Sequence, residues 1–293
     1  MNKTILFLAG LLAGLSPDAQ EWEGVKADSS FIWGEGWGAS VEEADQMALS
    51  ALASRITVAV TSDFRQVEEQ VRTGRGEEYR IVQNNRSSAF SSLMLPDTHR
   101  VVLKTGRRAH VGRWIRRDEL AALFAGRASR VTEYERSAVM AEVSGRVDDA
   151  LRYHYWAYAL LRSLPHPAEV RDGEGRMMLN AIPERLNAIL EDLRVSAAPY
   201  VGDALRLRFY FRGTPVEGLD FSYFDGARWV KGQSVRNGTA ALVMAPGALA
   251  ETIQVRIEYK YQDDLLMDRE LSDAMRLPDL KPLRKAFITF RTR

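Results

Sequence analysis

The chain has 293 residues, 40 lysines and arginines against 39 aspartates and glutamates, and no cysteine. Because the charges nearly cancel, the chain as a whole has no attraction to nucleic acid or to an anionic membrane, and only local patches could bind either. The missing cysteine excludes disulfides and a lipid-anchored cysteine, so the fold must depend on buried apolar surface, and the length suggests two or three domains.

The first residues are typical of a secretory signal peptide. Lys3 precedes an uncharged apolar run from Ile5 to Leu15, which is too short to span a bilayer because that needs roughly 20 residues. We predict cleavage after Ala19, with Gln20 as the mature N-terminus. Residues 1–19 are therefore expected to be a signal peptide, and the mature chain, with no transmembrane segment, is expected to be periplasmic or envelope-associated.

Residues 20–117 are predicted to form a small α+β domain. A short apolar strand, Phe31-Ile32-Trp33, is followed by an expected glycine turn, Gly34 to Gly38. Ser40 with Glu43 three residues later forms a capping box, which indicates the start of a helix. The apolar positions of that helix are mostly alanine, so the helix can lie close against a sheet.

The pattern changes after this helix. Alternation over residues 56–62 predicts a strand, and the polar stretch 64–83 is interpreted as a hairpin, with a helix over 64–72 as the alternative. Residues 101–103 and 109–116 are predicted as two further strands joined through Thr105-Gly106. The pairing of these strands is expected to be mostly antiparallel.

The glycines before the helix allow a second interpretation. Gly34-x-Gly36-x-x-Ala39, between a predicted strand and a helix, matches the loose dinucleotide fingerprint, and Asp63 lies at the end of the next predicted strand. A nucleotide-cofactor enzyme using the Gly34–Ala39 turn is therefore an alternative. We favour a structural role, because the following strands do not form a second nucleotide-binding half and glycines permit a tight turn with close helix packing.

Residues 118–196 are predicted to be helical. Asp118 can cap a first helix that reaches Val143, and Gly145 marks its end. A second amphipathic helix follows Asp148, and a third is predicted over 174–193 with a kink at Pro183. The first two are interpreted as a helical hairpin, in which His154 is expected to be a hydrogen-bonded packing residue.

Residues 197–293 are predicted to form an antiparallel, immunoglobulin-like β-sandwich. Apolar and polar side chains alternate over 205–211, and shorter alternating runs follow. Turn pairs such as Asp225-Gly226 and Asn237-Gly238 separate these runs. Short strands with frequent turns are typical of sandwich folds. The complete prediction is an α+β chain with a small α+β domain, a helical middle segment and this C-terminal domain.

A basic cluster on the strand over 109–116 is the strongest local charge feature. It is a possible binding patch for phosphate groups or an acidic partner, and it comprises Arg107, Arg108, His110, Arg113, Trp114, Arg116 and Arg117. The alternative is that these side chains pair with nearby acidic residues. No histidine spacing or serine motif indicates a catalytic or metal site, so we predict no catalytic residues, no cofactor and no metal.

The segment over 30–125 resembles a known bacterial family. The residues that carry the resemblance are Gly34-Glu35-Gly36-Trp37-Gly38-Ala39-Ser40-Val41-Glu42-Glu43-Ala44-Asp45, then Ala48, Leu52-Ala53, Ile56, Val58, Val60 and Ser62. This pattern is similar to the N-terminal motif of the "LPP-twenty" lipoprotein family and to the N-terminal domain of flagellar assembly protein T. The resemblance implies a small α+β domain, an envelope location and no known catalytic residues.

The expected function combines these features. We predict an exported, non-catalytic cell-envelope protein that acts through protein–protein or surface contacts, in an assembly or adaptor role, with an envelope protein as its partner. A carrier of a small ligand or glycan, with its site in the β-sandwich, is the alternative. No nucleic-acid partner is expected, and a lipid anchor is not expected because the chain lacks cysteine.

Overall fold

The computed structural model describes residues 17–71, 95, 98–165, 167–201, 204–243, 252–265, 268–276 and 283–291. It combines helices with antiparallel sheets, which confirms the α+β class. The chain divides into two compact units with the boundary between Ala125 and Gly126, so the segments 118–196 and 197–293 lie mainly in one unit. Nearly all of the predicted signal peptide lies outside the described residues.

The first unit is a three-stranded sheet with a helix on each face. Its elements are α1 (Pro17–Ala27), β1 (Phe31–Gly38), α2 (Val41–Val71), β2 (His99–Lys104) and β3 (Ala109–Arg116). The strand order is β1-β3-β2, and both pairs are antiparallel, as predicted. Because β3 is central, β1 lies at one edge of the sheet.

The predicted turn at Gly34–Gly38 is wrong, because these residues continue β1 as extended strand. The glycines face α2 at very short range. A Cβ atom added at Gly34 would stand 2.6 Å from the carbonyl oxygen of Ala48, and one at Gly38 would stand 2.6 Å from the amide nitrogen of Ala44. The structural interpretation of the glycines expected both a tight turn and close helix packing. The glycines are required by the close packing of strand on helix, and no turn is present.

The predicted helix start is confirmed. The amide of Glu43 donates to Ser40 Oγ (3.2 Å), and Glu43 Oε2 accepts from the amide of Ala39 (2.7 Å), which closes a capping box displaced by one residue. The strand predicted over 56–62 is wrong, since α2 continues without a break to Val71.

The helix continues because of its tertiary packing. Leu52 and Ile56, four residues apart, are both fully buried in one cluster with Ile32 and Ile115 of the sheet. A spacing of four residues places both side chains on the same face of a helix. If a strand began at Ile56, the helix would end there and this shared face would be lost. The helical alternative for 64–72 is confirmed as far as Val71, and the rest of the stretch predicted as a hairpin lies outside the described residues.

The helices of the remaining chain follow the predicted order. They are α3 (Arg117–Val143), α4 (Val147–Arg162), α5 (Met178–Asp192) and α6 (Arg269–Ala274). Gly145, at φ +73°, separates α3 from α4 as expected. The third helix begins four residues later than predicted, because the Asp172 side chain accepts from the amides of Glu174 and Arg176 and holds that segment as a turn.

The C-terminal strands are antiparallel, as predicted. Their bounds are β4 (Leu193–Val201), β5 (Ala204–Phe211), β6 (Thr214–Pro215), β7 (Gly218–Phe224), β8 (Trp229–Arg236), β9 (Thr239–Val243), β10 (Thr252–Ile257) and β11 (Phe287–Arg291). Their hydrogen-bonded path is β11-β10-β7-β8-β9-β5-β4, with the short β6 paired to β5. β8 and β9 are joined through the single pair Arg236 and Thr239, and the Phe209 ring of β5 lies 5.0 Å from the Phe221 ring of β7. The immunoglobulin-like sandwich stays a prediction for this region.

The substitution Gly36→Ala tests the close packing of β1 on α2. A methyl group there would meet the backbone of Ala44 and Ala48, which cannot move aside without displacing the helix, so we expect a loss of about 2–3 kcal/mol in the stability of the first unit. The measurement is amide hydrogen exchange over residues 31–56 during denaturant titration.

The matched control is Gly24→Ala in α1. A Cβ at Gly24 has no neighbour within 4 Å, so alanine there should stabilise the helix by roughly 0.5–1 kcal/mol. Equal hydrogen-exchange protection in the two variants would contradict the packing interpretation.

Candidate functional site

The two faces of the first sheet have different chemistry. Successive strand residues point to opposite faces, and the face away from α2 is aromatic. On it, the Trp22 ring of α1 lies 5.6 Å from that of Trp33 and 6.0 Å from that of Trp114. Gly112 makes room for this arrangement, since a Cβ there would stand 2.7 Å from the Trp22 ring. This face is therefore closed by α1 over most of its length.

The predicted basic patch is divided between different surfaces. Arg113 lies on the α2 side of β3, whereas His110, Trp114 and Arg116 lie on the aromatic side. Arg107 and Arg108 are exposed in the turn between β2 and β3, and Arg117 is the exposed first residue of α3. Trp114 itself is buried. The cluster read from the sequence is thus not one continuous anion-binding surface, because strand residues alternate in direction.

Three members of the cluster have acidic partners, as the alternative interpretation expected. The strongest pair is Arg113 with Asp45, in which Nε and Nη2 donate to the two carboxylate oxygens at 2.7 and 2.8 Å. These charge-assisted hydrogen bonds hold the pKa of Asp45 below its usual range. His110 faces Glu35 at 3.2 Å. The exposed pair of Arg116 with Asp118 completes the set, with Nε and Oδ1 3.0 Å apart.

The predicted nucleotide-binding turn has no counterpart in the geometry. Phosphate binding requires a loop whose free amides point at the ligand, but Gly34 and Gly36 lie in a strand and are covered by α2. Asp63 is a helical residue and does not follow a strand. The alternative of a nucleotide-cofactor enzyme using Gly34–Ala39 therefore lacks its structural basis.

The outer edge of β1 is open in the described part of the chain. The amide of Arg117 donates to the carbonyl of Ser30 (2.9 Å), so these two residues, which flank β1 and β3, form a hydrogen-bonded pair in register with the ladder. Since such pairs alternate along an antiparallel ladder, the backbone groups of Trp33, Glu35 and Trp37 point away from β3. No described strand pairs with these groups.

A cleft of about 360 Å³ lies beside the first half of this edge, between β1 and α2. Phe31, Trp33, Val58 and two arginines form much of its lining. Val58 is 67% exposed although it is apolar. An open backbone edge next to an apolar cleft is the arrangement used to bind extended peptide segments.

The two arginines give the cleft a positive charge. The guanidinium carbon of Arg55 lies 3.4 Å from the centre of the Trp33 ring, so the group is held flat against the cleft wall. Arg117 donates from Nε to the carbonyl of Ser29 (2.9 Å). Within the described ranges, neither guanidinium forms an ion pair. Arg117 belongs to the predicted patch, whereas sequence reasoning missed Arg55 and Val58 because it placed this part of α2 in or beside a strand.

An exposed indole lies farther along the same strand. The side chain of Trp37 is 57% exposed, and its ring stacks on His110 with centroids 4.4 Å apart and an interplanar angle of 10°. The same histidine also contacts the carboxylate of Glu35. The cleft, the open edge and Trp37 together form a surface that we call the β1 edge surface.

The buried charged side chains of the second unit pair with each other and serve packing. His154 is fully buried, and its Nδ1 lies 2.8 Å from Glu135 Oε2, which confirms the expectation of a hydrogen-bonded packing histidine. Arg185 pairs with the same glutamate. The neighbouring His154, whose Nε2 lies 3.9 Å from the carboxylate, and Arg212, which donates to it at 2.8 Å, hold the pKa of Glu142 below its usual range. Glu135 and Glu142 thus each face basic side chains, which is what burial of a carboxylate requires.

The substitution Asp45→Asn tests the ion pair that orients β3 on α2. Because Arg113 lowers the pKa of Asp45 in the folded state, the pair stabilises the fold above the ordinary aspartate pKa, and this contribution is lost as the pH falls through the lowered value. At pH 7 the variant should lose about 1–2 kcal/mol. Unfolding measured from pH 7 to pH 2 should show that the wild type loses stability in acid more steeply than the variant.

A double-mutant cycle with Arg113→Gln supplies the control. Since the two side chains contact each other directly, the double variant should lose less than the sum of the single losses. Strictly additive losses, or parallel acid profiles for wild type and Asp45→Asn, would exclude the pair as the cause.

No protein-family model, curated protein or solved structure matches the chain. The resemblance of residues 30–125 to the "LPP-twenty" family and to flagellar assembly protein T therefore remains an expectation based on the motif. In the described ranges, no three side chains of histidine, aspartate or glutamate are grouped so that they could hold a metal ion. No helix within those ranges is both long and apolar enough to cross a membrane.

Proposed function

We propose that this chain is an exported, non-catalytic protein of the cell envelope that acts through contacts with another envelope protein, in an assembly or adaptor role. The observation that carries the proposal is the β1 edge surface. It combines unpaired backbone groups, exposed apolar side chains and two arginines without described acidic partners. Surfaces that combine these three properties are recognition surfaces for other polypeptides.

The N-terminal sequence supports export. The apolar run from Ile5 to Leu15 has the composition of a signal-peptide core. Trp22 and Val25, which pack on the aromatic face of the sheet, follow the proposed cleavage site after Ala19. The mature chain therefore keeps Trp22 and Val25, which cover this face, after residues 1–19 are removed. Processing and folding are thus compatible.

The family resemblance supports the same assignment. The motif from Gly34 to Ser62 is similar to that of exported envelope proteins, for which no catalytic residues are known. In the present chain the glycines of this motif carry the packing of β1 on α2. The motif thus explains how β1 packs against α2. We assign the partner contact to the opposite, open edge of β1.

Export predicts processing at a defined position. Expression of the full chain in a bacterial host, followed by N-terminal sequencing of the protein from the periplasmic fraction, should give a chain that begins at Gln20. The substitution Leu11→Arg, which places a charge in the apolar run, should leave an unprocessed precursor in the cell. An unprocessed wild-type chain that begins at Met1 in the cytoplasmic fraction would contradict the proposal.

Partner contact predicts a crosslink at one site and not at another. A photoreactive residue at Val58 should crosslink the protein to a single envelope protein in living cells, because this position lies in the cleft and is 67% exposed. The same residue at Val243 is the control, since that valine is 72% exposed but lies in the second unit. The absence of a partner at Val58, or identical products at both sites, would contradict the proposed contact.

A further inference from the structure

We propose that the partner of the β1 edge surface is an extended polypeptide segment that adds to β1 as a fourth strand and carries an acidic side chain beside an apolar one. This inference rests on the proposed function and specifies the partner chemistry. The open backbone edge indicates an added strand, the cleft indicates an apolar side chain, and the two arginines indicate an acidic side chain.

The backbone of β1 offers regularly spaced hydrogen-bonding groups. Trp33, Glu35 and Trp37 each direct an amide and a carbonyl away from β3, so a partner strand could form a continuous ladder with them. Proteins commonly protect such edges with charged side chains that point along the open side. The one charged side chain of β1, Glu35, is instead held by His110 on the aromatic face.

The cleft provides a place for alternate side chains of the added strand. Every second side chain of that strand would point to the α2 side of the sheet, where Ile32 and the exposed Val58 form apolar walls. Since the cleft measures about 360 Å³, it can take a large apolar side chain. The intervening side chains would point to the opposite side, next to Trp33 and Trp37.

The charge of the cleft selects an acidic segment. Arg55 is fixed on the Trp33 ring and Arg117 on the Ser29 carbonyl, so both guanidiniums are oriented before a partner arrives. Guanidinium groups bind carboxylates in a two-pronged geometry that an uncharged side chain cannot reproduce. An aspartate or glutamate two residues from the apolar side chain, and so on the same face of the added strand, would therefore pair with them.

A second copy of this chain fits the surface less well. The only carboxylate of β1 is Glu35, which already faces His110 and lies away from the cleft. Antiparallel pairing of two β1 strands about the middle one of the three outward-directed residues would place Glu35 opposite Glu35, and like charges at that position are destabilising. The described chain therefore favours a foreign segment.

The experiment begins with a phage-displayed library of random twelve-residue peptides, selected on the full mature protein (residues 20–293). We expect the selected peptides to share an acidic residue two positions from an apolar one. A synthetic peptide of the consensus sequence, labelled for fluorescence anisotropy, then measures affinity. Arg55→Gln should weaken binding about tenfold and make it less sensitive to salt, as expected for the loss of a charged hydrogen bond.

A pair of substitutions at Glu35 isolates the backbone contact. Glu35→Ala and Glu35→Pro both remove the pairing with His110, but only proline also removes the amide that points outward. Because that amide does not bond β3, the strand can retain its place in the sheet. We expect Glu35→Pro to bind the peptide about tenfold more weakly than Glu35→Ala.

Hydrogen exchange in the unmodified protein gives an independent readout that does not depend on variant folding. Binding of the synthetic peptide should protect the amides of Trp33, Glu35 and Trp37. The amides of Gly34 and Gly36, which face β3, should change little. Equal effects on the two sets, equal affinities of the two Glu35 variants, or a selected library without an acidic consensus would each overturn the inference.

Self-association is tested separately by sedimentation velocity. A dimer of the free chain that Glu35→Pro abolishes would assign the edge to a second copy and overturn the proposed occupant. If the Val58 crosslink captures a partner but the peptide leaves the outward amides unprotected, the contact function stands and strand addition fails. If Val58 captures no partner, the proposed function fails, whatever the peptide does.

Discussion

The structure of the first unit depends on the contact of a glycine strand with an alanine-rich helix. Gly34, Gly36 and Gly38 have no room for a Cβ atom, because the backbone of α2 occupies the space. Strand and helix can approach this closely only if both present small residues, and Ala44 and Ala48 are fully buried on the helix side. This approach holds β1 along one side of α2 and leaves its other side as the edge of the sheet.

The same contact determines which chemistry remains available. The glycines cannot bind a phosphate, since their α2 face is closed, and Asp45 of the helix is positioned to bind Arg113 of the central strand. Acidic partners therefore pair with three of the six basic residues of the cluster, all of them on β3. Arg55 and Arg117 lie beside the edge strand instead, where no described carboxylate reaches them, and they define the chemistry of the β1 edge surface.

The second unit handles its charges differently. His154 and Glu135 are buried together between α3 and α4, and Arg185 of α5 joins them. A buried group of this kind costs desolvation energy, so it stabilises the packed arrangement only while each member keeps its partner. Within this unit the charges serve packing, whereas in the first unit two of them lie at an open surface.

Local signals in the sequence determined the capping box at Ser40, the strand over 109–116 and the hairpin break at Gly145, because side-chain hydrogen bonds, a short run rich in strand-forming residues and a positive φ angle act over a few residues. Only the tertiary structure decided that residues 56–71 are helical, that Gly34–Gly38 is a strand and in which order the C-terminal strands pair. Glycines and β-branched residues are compatible with several local conformations, and distant packing partners select among them. The candidate site was likewise only partly predictable from the sequence. Arg117 could be named because it belongs to a cluster of charges, but Arg55 lies in the same cleft only because α2 packs on β1.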